Sequence, residues 1–337
     1  MPFDCDEAWH NFCSNNDFEQ ELSFVERETK SNNDENIPKC SDLYISTTTK
    51  ISYLDKDIDL FDVFWKIPII SYSTKDVGCV KKQMKYTFVD ESDVESIKKK
   101  LEDYELYDLQ QISFVKNDTK NIYKDVRKIN IGMCEKDIVS TRSKKKSAFY
   151  NCFVLIVRLY DDNSETFKEN HVKIFNTGKL EMPGIKCDKF HNMILTYVKE
   201  LFRLHCGLNV NIKENHETVL INSNFTCNFC INREKLTSIL KQKYKIETSY
   251  DPCSYPGIMS KKLIENSKKK ISFMIFRTGS VLIVGKCSLE QIEKLYLELK
   301  EIFKNEYNEI AVDINFNNML KKNKSQRKKY VELIVDS

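Results

Sequence analysis

A chain of 337 residues with 41% apolar content can bury one large or two modest cores. No apolar run approaches the roughly 18 to 20 residues of a membrane helix, and the N-terminus is acidic rather than basic-then-apolar, so neither insertion nor secretion is expected. The 12 cysteines show no disulfide rhythm, which points to reduced thiols in an intracellular setting, and the net charge of +3 hides −10 over residues 1–64 against +13 over the rest. An acidic arm on a basic body suggests that the body binds a polyanion, with an arm that shields it or recruits a partner.

Residues 1–40 are rich in Asn, Asp, Glu and Ser with scattered aromatics, and read as an arm that is largely disordered or folds on a partner. From Leu43 to Ile51 the β-branched content predicts a strand. Ile58, Leu60, Phe61, Phe64 and Trp65 suit a short helix stopped before Pro68, and Gly78 to Phe88 reads as a second strand. Residues 89–147 are charged and helix-prone, end in Lys144-Lys145-Lys146, echo nothing later in the chain and read as an insertion. Cys152 to Arg158 is a continuous apolar run, as in a well-buried strand. Between Ile221 and Phe229 odd positions are mostly apolar, while the even ones are Asn222, Asn224, Thr226 and Asn228; that is a strand with one buried and one amide-rich face. A helix over about 232–243 follows, then Ser249-Tyr250-Asp251-Pro252 and Tyr255-Pro256-Gly257 in a loop. Ser288 with Gln291 fits a capping box, and Lys/Arg residues crowd 321–329.

One passage occurs twice. Ile174-Phe175-Asn176-Thr177-Gly178 runs to Gly184, and Ile275-Phe276-Arg277-Thr278-Gly279 runs to Gly285; each is followed by an amphipathic helix. A hairpin feeding a helix is thus present in duplicate, and two lobes about a pseudo-twofold axis are expected. Parity in the strand ending at Phe276 puts Ile271, Phe273 and Ile275 toward the helices and sends Ser272, Met274 and Phe276 to the other face. A large apolar residue opposite the core requires a reason.

These residues resemble the TATA-box-binding proteins. The match is carried in the second lobe by Asn222 to Cys227, Tyr250-Asp251-Pro252, Tyr255-Pro256-Gly257-Ile258, Ile275-Phe276 with Gly279, and Gly285; in the first lobe it is carried by Phe175 to Gly184 and the helix after it. The Asn- and Lys-rich composition resembles the divergent versions encoded by large DNA viruses. The resemblance implies an α+β saddle of two pseudo-symmetric lobes, each a curved antiparallel sheet with helices on the convex side. The expected divisions are an arm at 1–40, a first lobe at 41–207 with the insertion at 89–147, a second lobe at 208–304 and a basic extension at 305–337. The implied activity is that of a transcription initiation factor, which binds promoter DNA in the minor groove, bends it by wedging aromatic rings between base steps, and recruits a B-type initiation factor and RNA polymerase, as a monomer on DNA. Inserting apolar wedges from the minor groove is a general mode of DNA bending, of which this family is itself an example.

The implied DNA-binding residues are Phe175, Phe276 and Tyr255 as wedges, with a fourth wedge at Phe149 or Tyr150; Asn222 and Asn224 as amides facing groove acceptors; and Leu282 and Val284 as the apolar floor. In the first lobe the position matching Asn222 falls on Leu43 or Ile70, so the amide is missing. Pro183 and Val284 stand where the family has Thr, and Glu181 is expected on the concave face. A protein-interaction scaffold that has lost groove binding is the alternative reading. Cys227-x-x-Cys230 has no second pair at ribbon spacing, so no metal is expected; there is no phosphate loop and no catalytic set, so neither a cofactor nor an enzyme is expected. Location in a host nucleus or a cytoplasmic virus factory, with packaging in the virion, fits the viral resemblance.

Overall fold

The structure is a computed structural model that describes residues 37–312 other than 118, 120, 121, 140–149, 163 and 265–268. The expectations for the acidic arm, the 144–146 lysines, Phe149 and most of the basic extension lie outside the described residues. The described chain divides into two compact units: a first lobe of residues 49–217, and a second of 218–312 with 37–48. Among the described residues no helix is long and apolar enough to cross a membrane.

In the first lobe, strand β1 (Tyr44–Tyr53) enters with its second half and leads to helix α1 (Leu60–Lys66), whose N-terminus is capped by the Asp59 carboxylate accepting from the Phe61 and Asp62 N–H groups. Strand β2 (Gly78–Phe88), helix α2 (Glu91–Leu101), strands β3 (Tyr107–Asn117) and β4 (Ile122–Gly132) and the short helix α3 (Glu135–Val139) follow. Then come β5 (Cys152–Asp161), β6 (Thr166–Phe175), β7 (Lys179–Ile185) and the long helix α4 (Asp188–Cys206). The sheet order is β7-β6-β5-β2-β4-β3. The 89–147 segment therefore departs from its helix-prone reading: after one helix it supplies two long strands that pair onto β2 and widen the sheet. Tyr, Ile and Val recur in both strands, but Asp, Lys and Arg stand between them because β3 is an exposed edge, where a clean alternation is not enforced.

The second lobe takes the first half of β1, then β8 (Glu217–Thr226), the two-residue β9 (Cys230–Ile231), helix α5 (Arg233–Gln242), β10 (Glu247–Ser249), β11 (Ile258–Leu263), β12 (Lys270–Ile275) and β13 (Ser280–Gly285). Helix α6 (Leu289–Asn305) opens on the Ser288–Gln291 capping box, and α7 (Tyr307–Ile310) leads to β14 (Ala311–Val312), which pairs with β9. The sheet order is β10-β11-β12-β13-β8. Each lobe keeps its main core between one sheet face and its helices: Phe64, Phe153, Ile174, Val198 and Phe202 in the first, Phe273, Ile275, Leu299 and Phe303 in the second.

The repeated turns hold both hairpins. Gly178 and Gly279 sit at φ +73° and +83°, a region closed to most side chains, and a Cβ on Gly279 would lie 2.3 Å from the Phe229 carbonyl oxygen. Gly184 also has a positive φ, but nothing lies within 4 Å of its Cβ position. Gly184→Ala should therefore cost about 1 kcal/mol from backbone strain alone, and Gly279→Ala about 3 kcal/mol, as read by urea unfolding. Equal losses would mean that the turn does not depend on the close approach.

The first core also contains a charge. Lys82 is fully buried; its ammonium donates to the Ile67 carbonyl at 2.6 Å and lies over the rings of Phe64 and Tyr104 at 5.1 and 5.2 Å. Burial pulls its pKa down to about 8. Since the unfolded chain keeps the ordinary lysine value, it binds the extra proton between the two values, and this contribution to stability rises with pH across that window. Measured as the difference from Lys82→Met, wild-type stability should gain about 2 kcal/mol between about pH 8 and about pH 10. A flat difference would place the ammonium in water.

Candidate nucleic-acid interface

Two hydrogen bonds, each made once per lobe, set the lobes in register. The Leu54 N–H donates to the Gly178 carbonyl at 2.8 Å, and the Cys227 N–H to the Gly279 carbonyl at 3.0 Å. Four residues later, Ile58 N–H donates to Asn176 O and Ile231 N–H to Arg277 O, both at 2.8 Å. Leu54 thus corresponds to Cys227, and the helix caps Asp59 and Asn232 follow at the same interval. On the hairpin side Phe153 pairs with Ile174 and Ile258 with Ile275, so Phe153 corresponds to Ile258.

In the second lobe Ile271, Phe273 and Ile275 lie in the core under the helices, while Met274 and Phe276 join Leu220, Leu282 and Val284 on the other face, with Tyr255 and Met259 packed against them. The Tyr255 and Phe276 rings meet edge to face at 6.1 Å between centroids. Both rest on Gly257, where a Cβ would stand 3.0 Å from an edge atom of each ring. A side chain there would displace one ring or the other, so the glycine maintains the pair. Asn224 pairs in register with Leu282, and Asn222 with Val284. The Asn222 amide nitrogen donates to the Thr47 hydroxyl at 3.0 Å, but its carbonyl oxygen is buried and has no hydrogen-bond partner among the described residues.

The same face of the first lobe has a different chemistry. Phe175 packs against Val80, Cys134, Cys152, Val154 and Ile156. The position of Met274 and Leu282, paired across β12 and β13, is taken by Lys173 and Glu181, paired across β6 and β7. The buried Glu181 carboxylate is held by the Lys173 ammonium at 2.6 Å and by Lys179 at 3.9 Å, and Lys179 also lies 5.0 Å from the Phe175 ring centroid. Further along this face Arg158 pairs with Glu169 at 2.9 Å and donates to the carbonyls of Tyr72 and Thr74, so the loop before β2 lies over the sheet there. Cys152 takes the place of Gly257; burial pushes its thiol up to about 12.

Two sequence alignments change. Counting back from Leu54 and Cys227 puts Thr49, not Leu43 or Ile70, opposite Asn222; Leu43 packs in the second lobe's core, and Ile70 precedes β2. The amide is replaced by a buried hydroxyl. Tyr150 stands three residues before Phe153, as Tyr255 does before Ile258, so register gives Tyr150 the counterpart position between the two open alternatives. Tyr150 is 56% exposed, with the Lys85 ammonium 3.5 Å from its ring centroid. The Cys227 thiol donates to the Phe229 carbonyl, and burial pushes it up to about 12, an environment that opposes the thiolate a metal needs.

Residues 217–305 match the family model for transcription factor TFIID, or TATA-binding protein (TBP). A "TATA-box-binding protein-like" protein of Acanthamoeba polyphaga mimivirus is 25% identical over 200 residues, which cover 52% of this chain and 54% of that protein. Over the matched second lobe the chain is TBP-like. It spans about half the length of that curated relative. A solved structure, Methanococcus jannaschii TBP, aligns with 79% of this chain and 99% of its own at 12% identity and a TM-score of 0.42.

In this TBP-like chain Gly257, Met259, Met274 and Leu220 belong to the second face, although sequence reasoning did not name them as site residues. Parity already placed Met274 there, and Gly257 could be found only from the two rings above it. The unpartnered Asn222 oxygen has a consequence for the free protein, because a buried acceptor left unmade is costly, whereas removing both partners is not. The double variant Asn222→Leu with Thr47→Val should unfold about 1 kcal/mol later than wild type in urea. A loss of stability instead would show that the amide serves the fold.

Proposed function

We propose that this chain is a DNA-binding transcription initiation factor whose second-lobe face enters the minor groove of promoter DNA. The observation that carries the reading is the pair of rings, Phe276 and Tyr255, held edge to face on Gly257 beside an apolar floor of Met274, Leu282 and Val284. An apolar ring inserted between base steps offsets the unstacking that bending requires. The floor fits between sugar edges, and the Asn222 amide, whose nitrogen is bound weakly to a neutral hydroxyl, can turn its donors to adenine N3 or thymine O2. Phe175, with Tyr150 as its partner by register, supplies the matching wedges of the first lobe. The bent complex then recruits a B-type initiation factor and RNA polymerase, with the chain acting as a monomer on DNA. Viral origin, with action in a host nucleus or a cytoplasmic virus factory, belongs to the same reading.

The charged first-lobe face favours a second reading, in which that lobe serves protein assembly and the groove is left to the second lobe. Bending separates the two. Phe276→Ala should reduce the bend, read by fluorescence transfer between labelled duplex ends, and weaken binding by about tenfold. An unchanged bend and affinity would remove the wedge role and leave the assembly reading.

A further inference from the structure

We propose that the first lobe reads a G·C base pair through Lys173, Glu181 and Lys179; this rests on the minor-groove reading above and names the sequence chemistry that the lobe selects. The three side chains stand on the face of Phe175; in register the second lobe has the apolar Met274 and Leu282 in place of Lys173 and Glu181, and the neutral Ser280 in place of Lys179. Their order is fixed by contact: the Glu181 carboxylate lies between two ammoniums, with one oxygen 2.6 Å from Lys173 and the other 3.9 Å from Lys179.

The arrangement presents a donor, an acceptor and a donor in sequence. In the minor groove an A·T pair displays only acceptors, adenine N3 and thymine O2, whereas G·C adds the guanine 2-amino donor between its own acceptors. The G·C edge therefore reads acceptor, donor, acceptor, the complement of the triad. Against A·T the base edge offers the carboxylate no donor, so the two ammoniums stay on the carboxylate and the groove acceptors go unmatched. Against G·C the carboxylate accepts from the 2-amino group while the ammoniums donate to guanine N3 and cytosine O2 or stay on the carboxylate. The two lysines keep the local charge positive, so the carboxylate does not repel the backbone by itself. Loss of the amide at Thr49 agrees in direction, since a group suited to A·T acceptors is missing from the same lobe.

The test uses the full chain and a selection from random duplex DNA, followed by replacement of each enriched guanine by inosine, which removes only the 2-amino group. Wild type is expected to enrich a G·C pair at a fixed position and to lose about tenfold in affinity on the inosine duplex. The double variant Lys173→Met with Glu181→Leu, which installs the second lobe's apolar pair, should bind the guanine and inosine duplexes equally and gain on A·T at that position; its melting temperature checks that it is folded. Glu181→Gln, which keeps an acceptor without the charge, should retain part of the inosine sensitivity. Tight binding and bending of duplex DNA with no inosine effect in wild type would overturn the G·C reading and leave the minor-groove function intact. No duplex binding under any sequence would overturn both.

Discussion

The face opposite the helices depends on one backbone hydrogen bond that the chain makes twice, from Leu54 to Gly178 and from Cys227 to Gly279. A hairpin turn with glycine at positive φ leaves its carbonyl pointing outward, and the first strand of each lobe docks on that carbonyl. Once the register is fixed there, strand periodicity determines which side chains reach the far face, because a slip of one residue would exchange the faces of the whole strand. Phe276, Leu282 and Val284 are together for that reason, as are Phe175, Lys173 and Glu181.

The two lobes share this frame and differ in what they place on it. Met274 opposite Leu282 and Lys173 opposite Glu181 are the same register pair in two chemistries. Frame and face rest on different contacts: the frame on turns, caps and the helix-side core, and the face on smaller apolar clusters of its own. The unpartnered Asn222 oxygen, which no fold-building interaction needs, is consistent with such a division. In the first lobe the loop carbonyls on Arg158 and the added strands β3 and β4 change the sheet's surroundings without altering the hairpin.

The duplicated hairpin was legible because its signals are local: a Thr-Gly turn, alternating apolar residues and a helix with one apolar stripe. Parity along Ile271 to Phe276 was legible for the same reason. Strands β3 and β4 were not, since an exposed edge permits charges where a central strand would not, and Asp108, Lys116 and Arg127 obscured the β-branched residues between them. The counterpart of Asn222 escaped because β1 has no motif to anchor an alignment, and only the bond from Leu54 to Gly178 supplies the count that ends on Thr49. Tyr150 against Phe149 was equally a matter of register, which adjacent aromatics cannot settle.

The unlike register pairs also make the two faces respond to different variables of the medium. Beside the buried Met274 and Leu282, covering the partly exposed Tyr255 and Met259 would release water from apolar surface, a process marked by a negative heat-capacity change and little affected by salt. Covering Lys173 and Glu181 moves charges and their counterions, with a smaller heat-capacity signature and a strong dependence on ionic strength. For a ligand that covered both faces, temperature would therefore adjust the hold of one lobe, and ionic strength that of the other.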